Sequence, residues 1–386
     1  MLISIIIVQQ FPIIFESYYS EFRFFLYILL IIGIIFRLLK GNYDQGKLFK
    51  KTLFLTIYSL ILFSFTLIQP ILSYSWLELT VPLGIMFVSS SYHLKSREKE
   101  NLLSYFVIIL TILSVFTVFY YNGGYSISSI YTVPSKNQMG PLMGAGFIIA
   151  YIKLFDKSSG AYYKKIYLFF VLVLIAGSLI TIRNRTGILG IIIVILFNMI
   201  INLKKQNFTH KKLFWGITIF TIFLVTAYFW WGELVISYIN ESMFANYDLT
   251  SIDSIATGRI SGYSEALVFL KNNLFFGSLT SVSGYTGHIA AHNYIINKLV
   301  QFGIIFSLPF VLYYAYLIKY AYLHLKKGNY SGWLLFFSLF VSLFEYTYPF
   351  GPGVSQFMLW FLIAQENSNN LFDETSDTID NSFMRL

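Results

Sequence analysis

The sequence predicts an all-α polytopic membrane protein: one integral membrane domain over residues 1–365, with about twelve crossings and a large outer loop at 232–299. Three observations predict it. Apolar runs long enough for about 30 Å of hydrocarbon recur from end to end. Only 12% of the 386 residues are charged and 56% are hydrophobic, about half the charged share of a soluble domain. The runs do not alternate polar and apolar residues, which argues against a closed barrel, the other backbone-satisfied structure in lipid.

The candidate spans are 2–16, 22–39, 52–69, 74–92, 102–120, 138–154, 166–182, 186–202, 213–231, 300–323, 331–348 and 353–365. An even number of crossings puts both termini on one side. With that side cytoplasmic, most Lys and Arg fall in the connections 37–51, 95–99, 153–165, 204–212 and 319–327, as the positive-inside rule expects. Seven basic residues then lie outside this pattern: Arg23, Lys136, Arg183, Arg185, Arg259, Lys271 and Lys298. The net charge of +9 thus reads as topology, not as a nucleic-acid surface. There is no cysteine, which removes disulfides and thiolate chemistry. The amino terminus lacks a basic n-region and a small-residue cleavage site, and reads as the start of a retained helix.

Taken in order, helices one and two are joined by a short outer turn at 17–21. Helix three ends at Gln69-Pro70, where proline removes a donor and restricts its neighbour. Glu78 falls in the outer half of helix four, where it pairs with a base, sits in a hydrated cavity or lies just below the headgroups. Helix six opens after Pro134, with Lys136 and Asn137 at its mouth; simple capping explains part of that signal. Helices seven and eight meet at Arg183-Asn184-Arg185-Thr186-Gly187. Two arginines in so short an outer turn either snorkel to lipid phosphate or present their planar donor forks to a bound diphosphate.

The segment 232–299 is far longer than any other connection. Tyr263, Ala266, Leu267 and Leu270 predict an amphipathic helix over about 260–271, and Gly277 and Gly284 predict a loop after it. His288 and His292 share one face if the intervening residues are helical. A zinc site is disfavoured, since the glutamate of a His-Glu-x-x-His motif and a third ligand are absent. The ordinary alternative for either histidine is a surface or capping role. Pro309 should bend helix ten, His324 receives no role, Glu345 approaches the outside on helix eleven, and 366–386 is a polar acidic cytoplasmic tail. No internal repeat is visible, which disfavours transporters built from duplicated halves.

Three pieces, in this order and on one side of the membrane, carry a family resemblance: Arg183-Asn184-Arg185-Thr186-Gly187, Thr257-Gly258-Arg259, and His292-Asn293 with the following helix and Gly303. Asn137 and Gly140 add a weaker one. The chain resembles the bacterial O-antigen polymerase and O-antigen ligase superfamily, over roughly residues 130 to 305. The resemblance implies a GT-C-like integral membrane glycosyltransferase, inverting, metal-independent and without cofactors. It lies in the bacterial inner membrane, its active site facing the periplasm. Donor and acceptor are polyprenyl-diphosphate-linked oligosaccharides, and a chain-length regulator protein is a candidate partner. The catalytic set it implies is His292, Arg259 and Arg185, with Arg183 the weaker of its pair. His288, Asn293, Lys298, Asn137 and Lys136 complete the candidate substrate-binding set; Lys298 and Lys136 would serve a second phosphate. Polymerisation is the favoured reading. Ligation to lipid A–core and transport of a lipid-linked glycan are the alternatives.

Overall fold

The structure is a computed structural model that describes residues 2–40, 45–69, 73–90, 92, 94–122, 136–155, 162–205, 232–233, 237, 259–279, 292–345, 348–351 and 356–366. Twelve helices are used below: α1 (Leu2–Val8), α2 (Pro12–Lys40), α3 (Gln45–Ile68), α4 (Ser73–Ser89), α5 (Ser96–Asn122), α6 (Lys136–Phe155), α7 (Tyr162–Thr181), α8 (Arg185–Lys205), α9 (Arg259–Asn273), α10 (Tyr294–Lys327), α11 (Tyr330–Val341) and α12 (Phe357–Glu366). Among the described residues there is no strand, and six helices are long and apolar enough to cross a membrane. Four shorter apolar helices, within α4, α8, α11 and α12, accompany them. The chain is a polytopic helical membrane protein. The predicted span 213–231 lies outside the described residues.

The first predicted span is broken in two. Pro12 cannot donate a backbone hydrogen bond and opens a new helix, so α1 stops at Val8 and the chain turns at residues 9–11. It still climbs α5, with Ser4 against Tyr105, Phe11 against Phe116, and Glu16 against Tyr120 and Tyr121. Reversal comes at Tyr18, whose φ of −135° and ψ of 20° interrupt α2. Beyond it Gln9 meets Tyr19, Ile6 clusters with Leu26, and Arg37 reaches Ser90 at the end of α4. The predicted outer turn at 17–21 thus contracts to a kink around one residue.

Ion pairs fix one end of the bundle. There Lys99 meets Glu366 at 3.1 Å, His324 Nδ1 meets Glu366 at 2.9 Å, and Lys153 meets Glu100 at 2.7 Å. Glu366 is buried as the last residue of α12; residues 367–386, the rest of the predicted tail, lie outside the described residues. The other end gathers the start of α6, the α7–α8 turn, the starts of α9 and α10, and the chain after α11. Between the ends, Tyr58, Tyr294, Phe302, Phe310, Phe350 and Trp360 form a chain of ring contacts. Aromatic side chains contribute large, well-shaped apolar volumes, which is how so Phe- and Tyr-rich a sequence builds its interior.

Helix α10 begins at Tyr294, earlier than the predicted 300, so Lys298 lies inside the helix. Its interruption falls at Gly303, upstream of Pro309, with φ 63° and ψ 177°. Residues 274–279 repair the exposed backbone: Ser278 N–H donates to Val300 O and Leu279 N–H to Gln301 O, while Leu274 O and Phe275 O accept from Ile304 and Ile305. In lipid such pairing is obligatory, because no water replaces a lost bond. A Cβ on Gly303 would lie 2.2 Å from Phe275 O, and one on Gly277 2.5 Å from Gly303 N. The predicted amphipathic helix is present as α9. It buries Gly262, Ala266 and Leu270 against Val300 of α10; Leu267, expected on that face, is 58% exposed.

Candidate functional site

The α7–α8 turn is built by two caps sharing one short sequence. Arg183 N–H bonds to Ile180 O and Asn184 N–H to Leu179 O, with Arg183 in the left-handed region at φ 56°. This is the Schellman closure of α7, with arginine where glycine is usual. Asn184 then caps α8, its Oδ1 accepting Gly187 N–H at 2.6 Å. A Cβ on Gly140 would lie 1.9 Å from Asn184 Nδ2, and one on Gly187 2.5 Å from Asn184 Oδ1. The two glycines therefore make room for the capping side chain. Their place in the sequence motif has a packing explanation.

At the start of α10, Asn293 is the N-cap, with extended backbone and its Oδ1 accepting from Ile296 N–H at 3.1 Å. Tyr294 N–H donates to Ser342 O at 3.0 Å. The end of α11 and the start of α10 are thereby joined, which brings Glu345 opposite His292. Tyr263 of α9 ties the junction further, its hydroxyl reaching the carbonyls of His292 and Leu343. Burial raises the Tyr263 phenol above its usual range; nearby Arg259 opposes the shift and Glu345 adds to it. The group is therefore a proton donor at neutral pH.

One carboxylate gathers the predicted residues. Glu345 Oε1 accepts from Arg259 Nη2 at 2.7 Å and from Thr186 Oγ1 at 3.2 Å, and Thr186 lies 3.5 Å from the same guanidinium nitrogen. Glu345 Oε2 stands 3.9 Å from His292 Nδ1. Arg183 and Arg185 belong to the turn that carries Thr186, so among the described residues three arginines and a histidine come from the elements around this acid. The capped amino ends of α8 and α10 open here as well, and helix amino ends favour anions. Arg259, Glu345 and His292 side chains are 19%, 12% and 29% exposed; the cluster is shielded yet reachable.

The predicted site divides in three. Arg259 and His292 meet through Glu345, with the Arg183–Arg185 turn adjoining and Asn293 engaged as a cap. Lys298 faces elsewhere: it is 2% exposed, pairs with Glu78 at 2.7 Å, and Tyr294 donates to the same carboxylate at 3.3 Å. Its charge is already neutralised by Glu78. His288 lies outside the described residues. Lys136 and Asn137 open α6, and their side chains also lie outside the described residues. The sequence reading names Glu345, Thr186 and Tyr263 but gives them no part in the site, and it does not see the capping role of Asn184. A signal for Glu345 existed: an acid at a helix carboxyl end opposes the macrodipole and calls for a distant cation.

Among the described residues, no three His, Asp or Glu side chains gather in a metal-binding group. An apolar cavity of about 430 Å³, lined by residues such as Ile6, Leu26, Val88 and Phe357, has no Asp, Glu, His, Lys or Arg among the described residues of its walls. A comparison with protein-family models returns no match, and neither does one with curated proteins.

Proposed function

We propose that this protein is a surface-polysaccharide polymerase related to the O-antigen polymerase and ligase superfamily. It would transfer a glycan from a polyprenyl diphosphate onto a lipid-linked repeat unit. The observation that carries this reading is the meeting of Arg259 and His292 at one shielded carboxylate, beside the Arg183–Arg185 turn. A twelve-crossing, GT-C-like arrangement with the cluster on the periplasmic face of a bacterial inner membrane completes the reading.

The chemistry balances without a further reactant. An acceptor hydroxyl oxygen attacks C1 of the donor's reducing-end sugar, forming the glycosidic bond while the bond from C1 to the diphosphate oxygen breaks. Direct displacement inverts C1. Charge developing on the departing diphosphate is met by Arg259 and Arg185, with Arg183 beside them; positioned donors of this kind are worth about 2–4 kcal/mol each. The acceptor proton passes to His292. Nδ1 is the nitrogen 3.9 Å from Glu345, so Nε2 is the one proposed to accept it. A diphosphate is already a capable leaving group, so the arginines meet the electrostatic demand.

The purified protein in lipid nanodiscs, given the host's lipid-diphosphate repeat unit alone, should form a ladder of lengthened glycans. His292→Ala should abolish the ladder. Arg259→Ala and Arg259→Lys should both lower transfer, because lysine keeps the charge and loses the fork. Parental transfer by both folded variants would sink the arginine assignment. A product appearing only after lipid A–core is added would identify a ligase. The buried Glu78–Lys298 pair favours a second reading, movement of the same lipid-linked glycan, since ion pairs within a span often line transport routes. Uptake of labelled glycan into vesicles without any transfer product would select it.

A further inference from the structure

We infer that Glu345 is an internal stand-in for the donor diphosphate, holding Arg259 until the donor displaces it and then moving to His292. The inference rests on the diphosphate-binding role given to Arg259 above. Three observations point to it, the first being that the Arg259–Glu345 pair is incomplete. Nη2 alone meets the carboxylate, while Nε is buried with no acceptor among the described residues. Arginine and an oxyanion pair best through two parallel bonds, and a diphosphate presents enough oxygens to take both Nε and Nη2.

Second, Glu345 sits at an electrostatically adverse place. It follows α11 and its N–H bonds back to Val341 O, so its carboxylate lies at the negative end of that helix. Arg259 and Thr186 offset this. Third, the other carboxylate oxygen is poised between states. At 3.9 Å from His292 Nδ1 it is beyond hydrogen-bond range, and the terminal torsion of a glutamate is broad enough for a modest rotation to close that gap. When a diphosphate takes the guanidinium, the released carboxylate has the Nδ1 of His292 within a short reach. A bond to Nδ1–H would fix the tautomer that leaves Nε2 to receive the acceptor proton. Donor binding would thus bring the Glu345 carboxylate onto the base. Glu345 is in this account a positioning residue acting through Arg259 and His292.

The account predicts opposite signs for binding and turnover. The probe is undecaprenyl diphosphate without glycan, titrated onto the full-length protein in nanodiscs. Glu345→Gln removes the competing charge and keeps the shape. It should tighten probe binding roughly three- to tenfold, the scale of a partly shielded ion pair. Turnover at saturating donor should fall roughly ten- to hundredfold, as the base loses its orienting partner. If the glutamine protein does not fold, Glu345→Ala carries the same sign test. Unchanged or weaker probe binding in a folded variant would overturn the inference and leave the diphosphate reading standing, because Glu345 would then simply scaffold Arg259. No binding of the probe by the parent protein would overturn both.

Discussion

Arg183 occupies a backbone position that glycine would fill more easily. Its φ of 56° closes α7, and an L side chain in the left-handed region costs roughly 1–2 kcal/mol. A residue kept against such a cost points to use of its side chain. Arg183→Gly should therefore melt at or above the parental temperature in detergent while glycan transfer falls about tenfold or more, the loss of one charge-stabilising donor. A clearly lower melting temperature would instead make the arginine a structural tie. At this scale the sequence singled out Arg259, Arg185 and His292, because cationic groups stand out against an apolar chain. Glu345 did not stand out. Its partner Arg259 is 86 residues away, and no local pattern joins an acid after one helix to a base at the start of another.

Helix α10 shows what one glycine does for an element. Gly303 was legible in the sequence only as part of a motif. In the folded chain it lets a helix break inside an apolar region while residues 274–279 take over the missing hydrogen bonds. This ties residues 274–279 to α10 and holds α9 against Val300, the arrangement that delivers Arg259 to its place. Gly303→Ala meets both a left-handed φ and a backbone oxygen 2.2 Å from the new Cβ. It should destabilise the protein by about 2 kcal/mol or more, read as a lower melting temperature and faster proteolysis of the outer segment. A parental melting curve would mean that this pairing contributes nothing to stability. The same element shows the limit of hydropathy. The window at 300–323 marks the apolar part of α10, yet the helix starts at Tyr294, where Asn293 caps it and Ser342 receives its first N–H.

For the whole molecule, the Glu78–Lys298 pair tests whether deep charge serves structure or substrate. Lys298 is buried, reaches Glu78 at 2.7 Å and lies over the Tyr294 ring at 5.1 Å. Removing one partner leaves the other charge stranded, at a cost of about 3–5 kcal/mol, whereas replacing both is often neutral. Lys298→Met alone should sharply lower the yield of folded protein. Lys298→Met with Glu78→Gln should restore it, and retained transfer in that double variant would remove Lys298 from the substrate-binding set. Lost transfer in a well-folded double variant would return it there or favour the transport reading.

The sequence by itself determined the solvent this chain folds in, the approximate position of most of its helices and the end of the bundle where unexplained cations collect. Those features follow from local quantities: the length of apolar runs, the placement of Lys and Arg, and the residues that start and stop helices. The break after α1 was written in Pro12 but obscured by the apolar residues on either side. Tertiary structure alone decided that Arg259 and His292 share Glu345, that Gly140 and Gly187 clear space for Asn184, and that Lys298 turns to Glu78. Each of these depends on side chains brought together from distant helices, and hydrophobicity, being non-directional, fixes that a helix is buried but not which polar group it will meet.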